Sequence, residues 1–130
     1  MEKRAKILLV DDDYDFVQST RIVLESAGHE VLVAYDGDEG LAKAREHRPD
    51  LVILDIIMPT RDGFSACAQL KGDPNLASTP VLMLTSLSEK LGETSFSVTQ
   101  GLQLEADDFI DKPVRPAELL LRVAKLLRGT

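Results

Sequence analysis

The 130-residue chain reads as an α/β protein, a doubly wound three-layer sandwich built on a five-stranded parallel sheet. Three observations predict this. The apolar runs "KILLV", "LVILD" and "VLMLT" are too continuous for a sheet with one wet face and mark strands buried on both sides. Segments of helical periodicity alternate with them. The connections are short, and such alternation yields right-handed crossovers with helices on both faces.

The elements follow in order. Lys6 to Val10 form the first strand. "YDFVQSTRIVLESAG" then sets Phe16, Thr20, Val23, Leu24 and Ala27 at helical spacing and closes on Gly28 as a stop. "HEVLVAY" is the second strand, Asp36-Gly37 a turn, and "DEGLAKAREHRP" a helix ended before Pro49. The third strand, "LVILD", ends in Asp55. A loop "IIMPTRDG" leads to a helix from Phe64 to Lys71, in which Asp62 and Gly63 shape the entry, and Gly72, Asp73, Pro74 and Asn75 break it. "PVLMLTS" is the fourth strand. The stretch 87–105 carries two glycines and many Ser and Thr, so its helix rests mainly on the alternation. "DFID" is the fifth strand, and "RPAELLLRVAKLLRG" the fifth helix, with Pro116 at its start and Leu119, Leu120, Val123 and Leu127 on one face.

Composition bounds the function. With 44% hydrophobic and 28% charged residues, the chain is globular, neither disordered nor membrane-spanning. Only four consecutive apolar residues precede the acids of "MEKRAKILLVDDD", so no signal peptide is read and a cytoplasmic location is expected. The single Cys67 excludes an intrachain disulfide or a multi-cysteine zinc site and is read as a small buried helix residue. A net charge of −7 argues against a nucleic-acid surface and for a cation or basic protein partner.

In doubly wound sheets ligands bind beyond the carboxyl ends of the strands where the strand order reverses, which for the flavodoxin-like order 2-1-3-4-5 lies between strands 1 and 3. Those strands end in Asp11-Asp12 and Asp55. Their carboxylates converge on a small volume, and oxygen ligands of this kind suit a hard cation such as Mg²⁺. Thr85 and Lys112, ending strands 4 and 5, add a donor and a cation that suit a tetrahedral anion. The alternative is three solvated turn carboxylates. Asp13 is read as the cap of the first helix and Asp15 as complementing its dipole. His29 and His47 are read as surface residues, and Arg122, Lys125 and Arg128 as a solvated face.

"ILLVDDD", "LVILDIIMPTRDGF", "VLMLTS" and "DDFIDKP", in register, give a sequence that resembles the CheY-like receiver domain of bacterial two-component response regulators over essentially its whole length. The resemblance implies that Asp11 and Asp12 form the acidic pair that holds Mg²⁺, with Asp12 the direct ligand and Mn²⁺ able to replace Mg²⁺, and that the backbone carbonyl of Ile57 completes the protein's share with Asp55. It implies that Asp55 is the phosphoacceptor, Thr85 the switch hydroxyl, Phe109 the switch aromatic and Lys112 the phosphate-pairing lysine, with a cis bond before Pro113. Ile57 and Leu87 would flank the phosphoryl group; both are apolar, so self-dephosphorylation is expected to be slow.

The function implied is acceptance of a phosphoryl group from a sensor histidine kinase or phosphotransfer protein, followed by switching of the surface formed by the fourth helix, fifth strand and fifth helix. A downstream protein would read that surface. The expectation excludes direct nucleic-acid or membrane contact, admits a phosphorylation-dependent homodimer, and treats the chain as a signalling phosphoacceptor rather than an enzyme. No output segment follows Arg128, so residues 1–130 are expected to be a single receiver domain. Two departures from the family stand out: the Thr85 to Lys112 stretch is about one helical turn longer than usual, and Glu105 replaces a usual glycine. Alternatives are a Mg²⁺-dependent phosphohydrolase with an aspartyl nucleophile, against which Ile57 stands where a second acid is common, and an unphosphorylated interaction scaffold.

Overall fold

The computed structural model describes residues 4–56, 63–85 and 106–128. Five strands, β1 (Lys6–Val10), β2 (Glu30–Ala34), β3 (Leu51–Asp55), β4 (Val81–Thr85) and β5 (Asp108–Asp111), pair in parallel in the order β2-β1-β3-β4-β5. Four helices lie among the described residues: α1 (Tyr14–Ser26), α2 (Gly37–His47), α3 (Gly63–Gly72) and α4 (Pro116–Leu127). The helix expected within 87–105 lies outside them. The last predicted helix is therefore α4 here.

Strand parity explains the two cores. Leu8, Val10, Val52, Leu54 and Met83 pack with Leu41 and Ala44 of α2 and Ala66, Cys67 and Leu70 of α3. Ile7, Leu9, Leu51, Ile53, Leu82 and Leu84 face the other way, onto Val17 and Leu24 of α1 and Leu119 and Val123 of α4. Successive strand residues point to opposite faces, and every residue of β3 is buried. Cys67 is a wholly buried helix residue, as expected.

Helix ends follow their local chemistry. The Asp13 side chain accepts from Phe16 N at 3.1 Å and caps α1. Gly28 follows α1 at φ +95°, a conformation that favours glycine. Asp36 caps α2 by accepting from Glu39 N at 2.8 Å, so Asp36-Gly37 is a helix start and not the separate turn expected. A Cβ on Gly40 would lie 3.0 Å from both methyls of Val10, so α2 packs close to β1. Arg48 ends α2 in the left-handed region at φ 47°.

Three readings change. In α1 the buried positions are Val17, Thr20 and Leu24, with Phe16 and Val23 only half-buried. His29 is buried and not on the surface: its Nδ1 accepts from Ala5 N at 3.2 Å, which ties the residue before β1 to the turn before β2. Arg122 is tethered too, donating to Asp108 Oδ1, Phe109 O and Glu118 Oε2 at 2.9, 2.9 and 3.2 Å. Lys125 and Arg128 are exposed as expected.

Candidate functional site

Strand register assembles the acids. Val10 pairs with Leu54, so Asp11 and Asp55 follow side by side at the carboxyl ends of the central strands. Asp55 pairs with Leu84, and Thr85 with Asp111, which brings the residue before Lys112 to the same end of the sheet. Asp11 is 0% and Asp55 5% exposed, whereas Asp12 is exposed. Carboxylate oxygens of the three lie within 4.8 Å of one another.

Lys112 enters this cluster as the countercharge. Its Nζ lies 2.8 Å from Asp11 Oδ2 and 3.9 Å from Asp55 Oδ2. Asp11 Oδ1 accepts from Asp13 N at 2.9 Å. Asp11 Oδ2 is a buried oxygen with no aligned hydrogen bond despite that short ion-pair distance, so it keeps accepting capacity. Burial pushes the Asp11 carboxyl above its ordinary range, and Asp12 adds to this; the Lys112 contact and the Asp13 N–H pull the other way, and burial wins.

The residues fit a divalent cation. Two oxygens on one Mg²⁺, each about 2.0–2.1 Å away, lie about 3 Å apart when adjacent and about 4 Å when opposed. The three carboxylates, within 4.8 Å of one another, are near enough to share one such ion directly or through a water. With all three acids ionised, three negative charges face one ammonium among the described residues, an excess of two (3 − 1). The buried, underused Asp11 Oδ2 is where a cation would gain most.

The sequence of the chain matches the response regulator receiver domain over residues 7–124. The chain belongs to that family. The receiver domain is 41% identical over 123 residues to the alkaline phosphatase synthesis transcriptional regulatory protein PhoP of Bacillus subtilis, covering 95% of this chain and 48% of that protein. It is 42% identical over 125 residues to the DNA-binding dual master transcriptional regulator RpaA of Synechocystis, covering 96% and 50%. The chain thus spans about half the length of these curated relatives. Among solved structures it is similar to a putative response regulator from Chloroflexus aurantiacus (TM-score 0.85, 34% identity, 97% of this chain and 99% of that one). The Vibrio cholerae chemotaxis protein CheY4 gives a TM-score of 0.83 at 35% identity, covering 95% and 98%.

Receiver domains are signalling domains and generally bind Mg²⁺ through acidic residues. No helix among the described residues is long and apolar enough to cross a membrane. The structure brings Asp11, Asp12, Asp55 and Lys112 together, and the Lys112–Pro113 bond is cis. Thr85 ends β4; Ile57, Leu87 and Glu105 lie outside the described residues. Phe109 is 41% exposed on β5, its N–H donating to Asp108 Oδ1 at 2.8 Å and its carbonyl accepting from Arg122. Sequence reading missed Phe16 at this site. Its ring centroid lies 4.5 Å from Lys112 Nζ, a contact across 96 residues (112 − 16) that helical spacing alone does not encode.

Proposed function

We propose that this receiver domain accepts a phosphoryl group on Asp55 from a sensor histidine kinase or phosphotransfer protein and signals the change to a partner protein. The observation that carries the reading is the convergence of Asp11, Asp12 and Asp55 within 4.8 Å, with Lys112 against Asp11 and Asp55. Asp55 acts as a carboxylate nucleophile: one of its oxygens forms a bond to phosphorus while the bond from phosphorus to the donor atom breaks, and the donor leaves with that electron pair. Lys112 Nζ lies 3.9 Å from Asp55 Oδ2, where it would meet the oxygens of a group transferred to Asp55. Asp11, Asp12 and Asp55, with the Ile57 carbonyl, would hold Mg²⁺ or Mn²⁺, which supplies neutralisation of charge on those oxygens.

Thr85 would bond the new phosphoryl group, and its movement makes room for the exposed ring of Phe109. The β5 and α4 surface then changes together with the segment before it. Residues 1–130 act here as one receiver unit in the cytoplasm. With a net charge of −7 this domain contacts proteins and not nucleic acid; a phosphorylation-dependent homodimer is one form that contact takes. The domain turns over no external substrate beyond its own phosphodonor. Ile57 and Leu87 offer no group to orient an attacking water, so the adduct decays slowly, and a polar replacement at either position speeds that decay.

The test is intact mass after exposure to acetyl phosphate with Mg²⁺ and again with excess chelator. One phosphoryl adduct that depends on the metal supports the reading. Many turnovers of a small phosphoester such as p-nitrophenyl phosphate support a phosphohydrolase, and no adduct supports a scaffold.

A further inference from the structure

We propose that Phe16 is a positioning residue for Lys112, an inference that rests on the phosphoacceptor reading above. Four residues make a closed circuit. Asp11 Oδ1 accepts from Asp13 N at 2.9 Å, Asp13 Oδ1 accepts from Phe16 N at 3.1 Å, the Phe16 ring lies 4.5 Å from Lys112 Nζ, and Lys112 Nζ returns to Asp11 Oδ2 at 2.8 Å. The cap that starts α1 therefore also sets the ring that meets the ammonium.

The chemistry of each contact differs. Lysine carries its charge on a flexible four-carbon stem with no preferred fork geometry, so a close contact to Asp11 and a longer one to Asp55 leave it room to swing between them. An aromatic face within about 6 Å attracts an ammonium through its quadrupole. Because the ring has no net charge, it restrains the ammonium without competing against a phosphoryl oxygen for it. A third carboxylate in that place would hold Lys112 as well and would repel the incoming dianion.

Phe16 is only half-buried, and with Lys112 it borders an open cleft of about 280 Å³ between α1 and the start of α4, also lined by Thr20, Val23 and Pro113. The ring packs against the core beside the fully buried Val17 and also borders this cleft, so it meets Lys112 from a position fixed by the core.

The experiment compares wild type, Phe16→Leu and Phe16→Tyr. Before any phosphodonor is added, NMR reads the Lys112 Hε protons, which the ring current shifts upfield in wild type and in Phe16→Tyr but not in Phe16→Leu. The rate of adduct formation from acetyl phosphate with Mg²⁺ then falls about 2- to 10-fold in Phe16→Leu, the range of a partly desolvated cation–ring contact, and returns to within about twofold of wild type in Phe16→Tyr. Absence of the upfield shift in wild type, or a wild-type rate in Phe16→Leu, overturns the proposal. Should wild type form no adduct, the phosphoacceptor reading fails, and the NMR comparison still decides whether Phe16 holds Lys112.

Discussion

Lys112 Nζ lies 2.8 Å from Oδ2 of Asp11, a carboxyl with no exposed surface. The lysine is thus the resident counter-cation of the acidic cluster, closer to Asp11 than to Asp55 at 3.9 Å. Removing one partner of a buried pair leaves the other charge uncompensated. Lys112→Met is therefore expected to destabilise the metal-free domain by about 1–3 kcal/mol, measured by urea unfolding in EDTA. In an Asp11→Asn background the same substitution should cost markedly less, and Mg²⁺ should restore much of the loss in Lys112→Met because it binds only the native state.

Asp11 also makes stability depend on pH. Its native carboxyl is raised by burial above the ordinary 3.8, so between that value and the raised one the native state holds a proton that the unfolded chain has lost. The contribution is fully present below the unfolded value and is lost as pH rises through the native one. Metal-free Asp11→Asn should consequently melt higher than wild type at neutral pH, with the gain vanishing as pH falls to the ordinary carboxylate range. Thermal melts in EDTA across this range check it; parallel profiles would contradict it.

His29 is a structural acceptor. Ala5 N donates to its Nδ1 at 3.2 Å, and both residues are buried. His29→Ala strands that N–H and should cost about 1–3 kcal/mol. Hydrogen exchange should show it directly, with the Ala5 amide losing protection ahead of Leu8 and Leu9 in the sheet centre.

Arg48 holds the left-handed conformation at the end of α2, φ 47° and ψ 67°. Glycine adopts it without the Cβ penalty. Arg48→Gly relieves a left-handed cost of about 1–2 kcal/mol, less about 0.4–1 kcal/mol of added unfolded-state freedom, and should raise Tm by about 2–4 °C for a domain of this size.

The fold was legible because its signals are local and repeated. Continuous apolar strands, the Asp13 cap and the Gly28 stop each state their element in a few residues; the doubly wound parallel sheet follows from their alternation, and its strand order from the flavodoxin-like type. The candidate site was legible where its charged side chains sit at or just beyond strand ends, as Asp11, Asp55 and Lys112 do. What sequence hid is what depends on three-dimensional neighbours. His29 looks like a polar residue after a helix, and only the arrival of Ala5 makes it an acceptor. Arg122 looks solvated until Asp108 and the Phe109 carbonyl fold beside it. Phe16 carries no mark at all that distinguishes a ring facing Lys112 from one facing the core.

Intact mass of wild type and Asp55→Asn, after equal exposure to acetyl phosphate and Mg²⁺, tests the central claim most directly. The account predicts one phosphoryl adduct on wild type and none on Asp55→Asn. An adduct of equal yield on Asp55→Asn, or a wild type that stays unmodified, would contradict it.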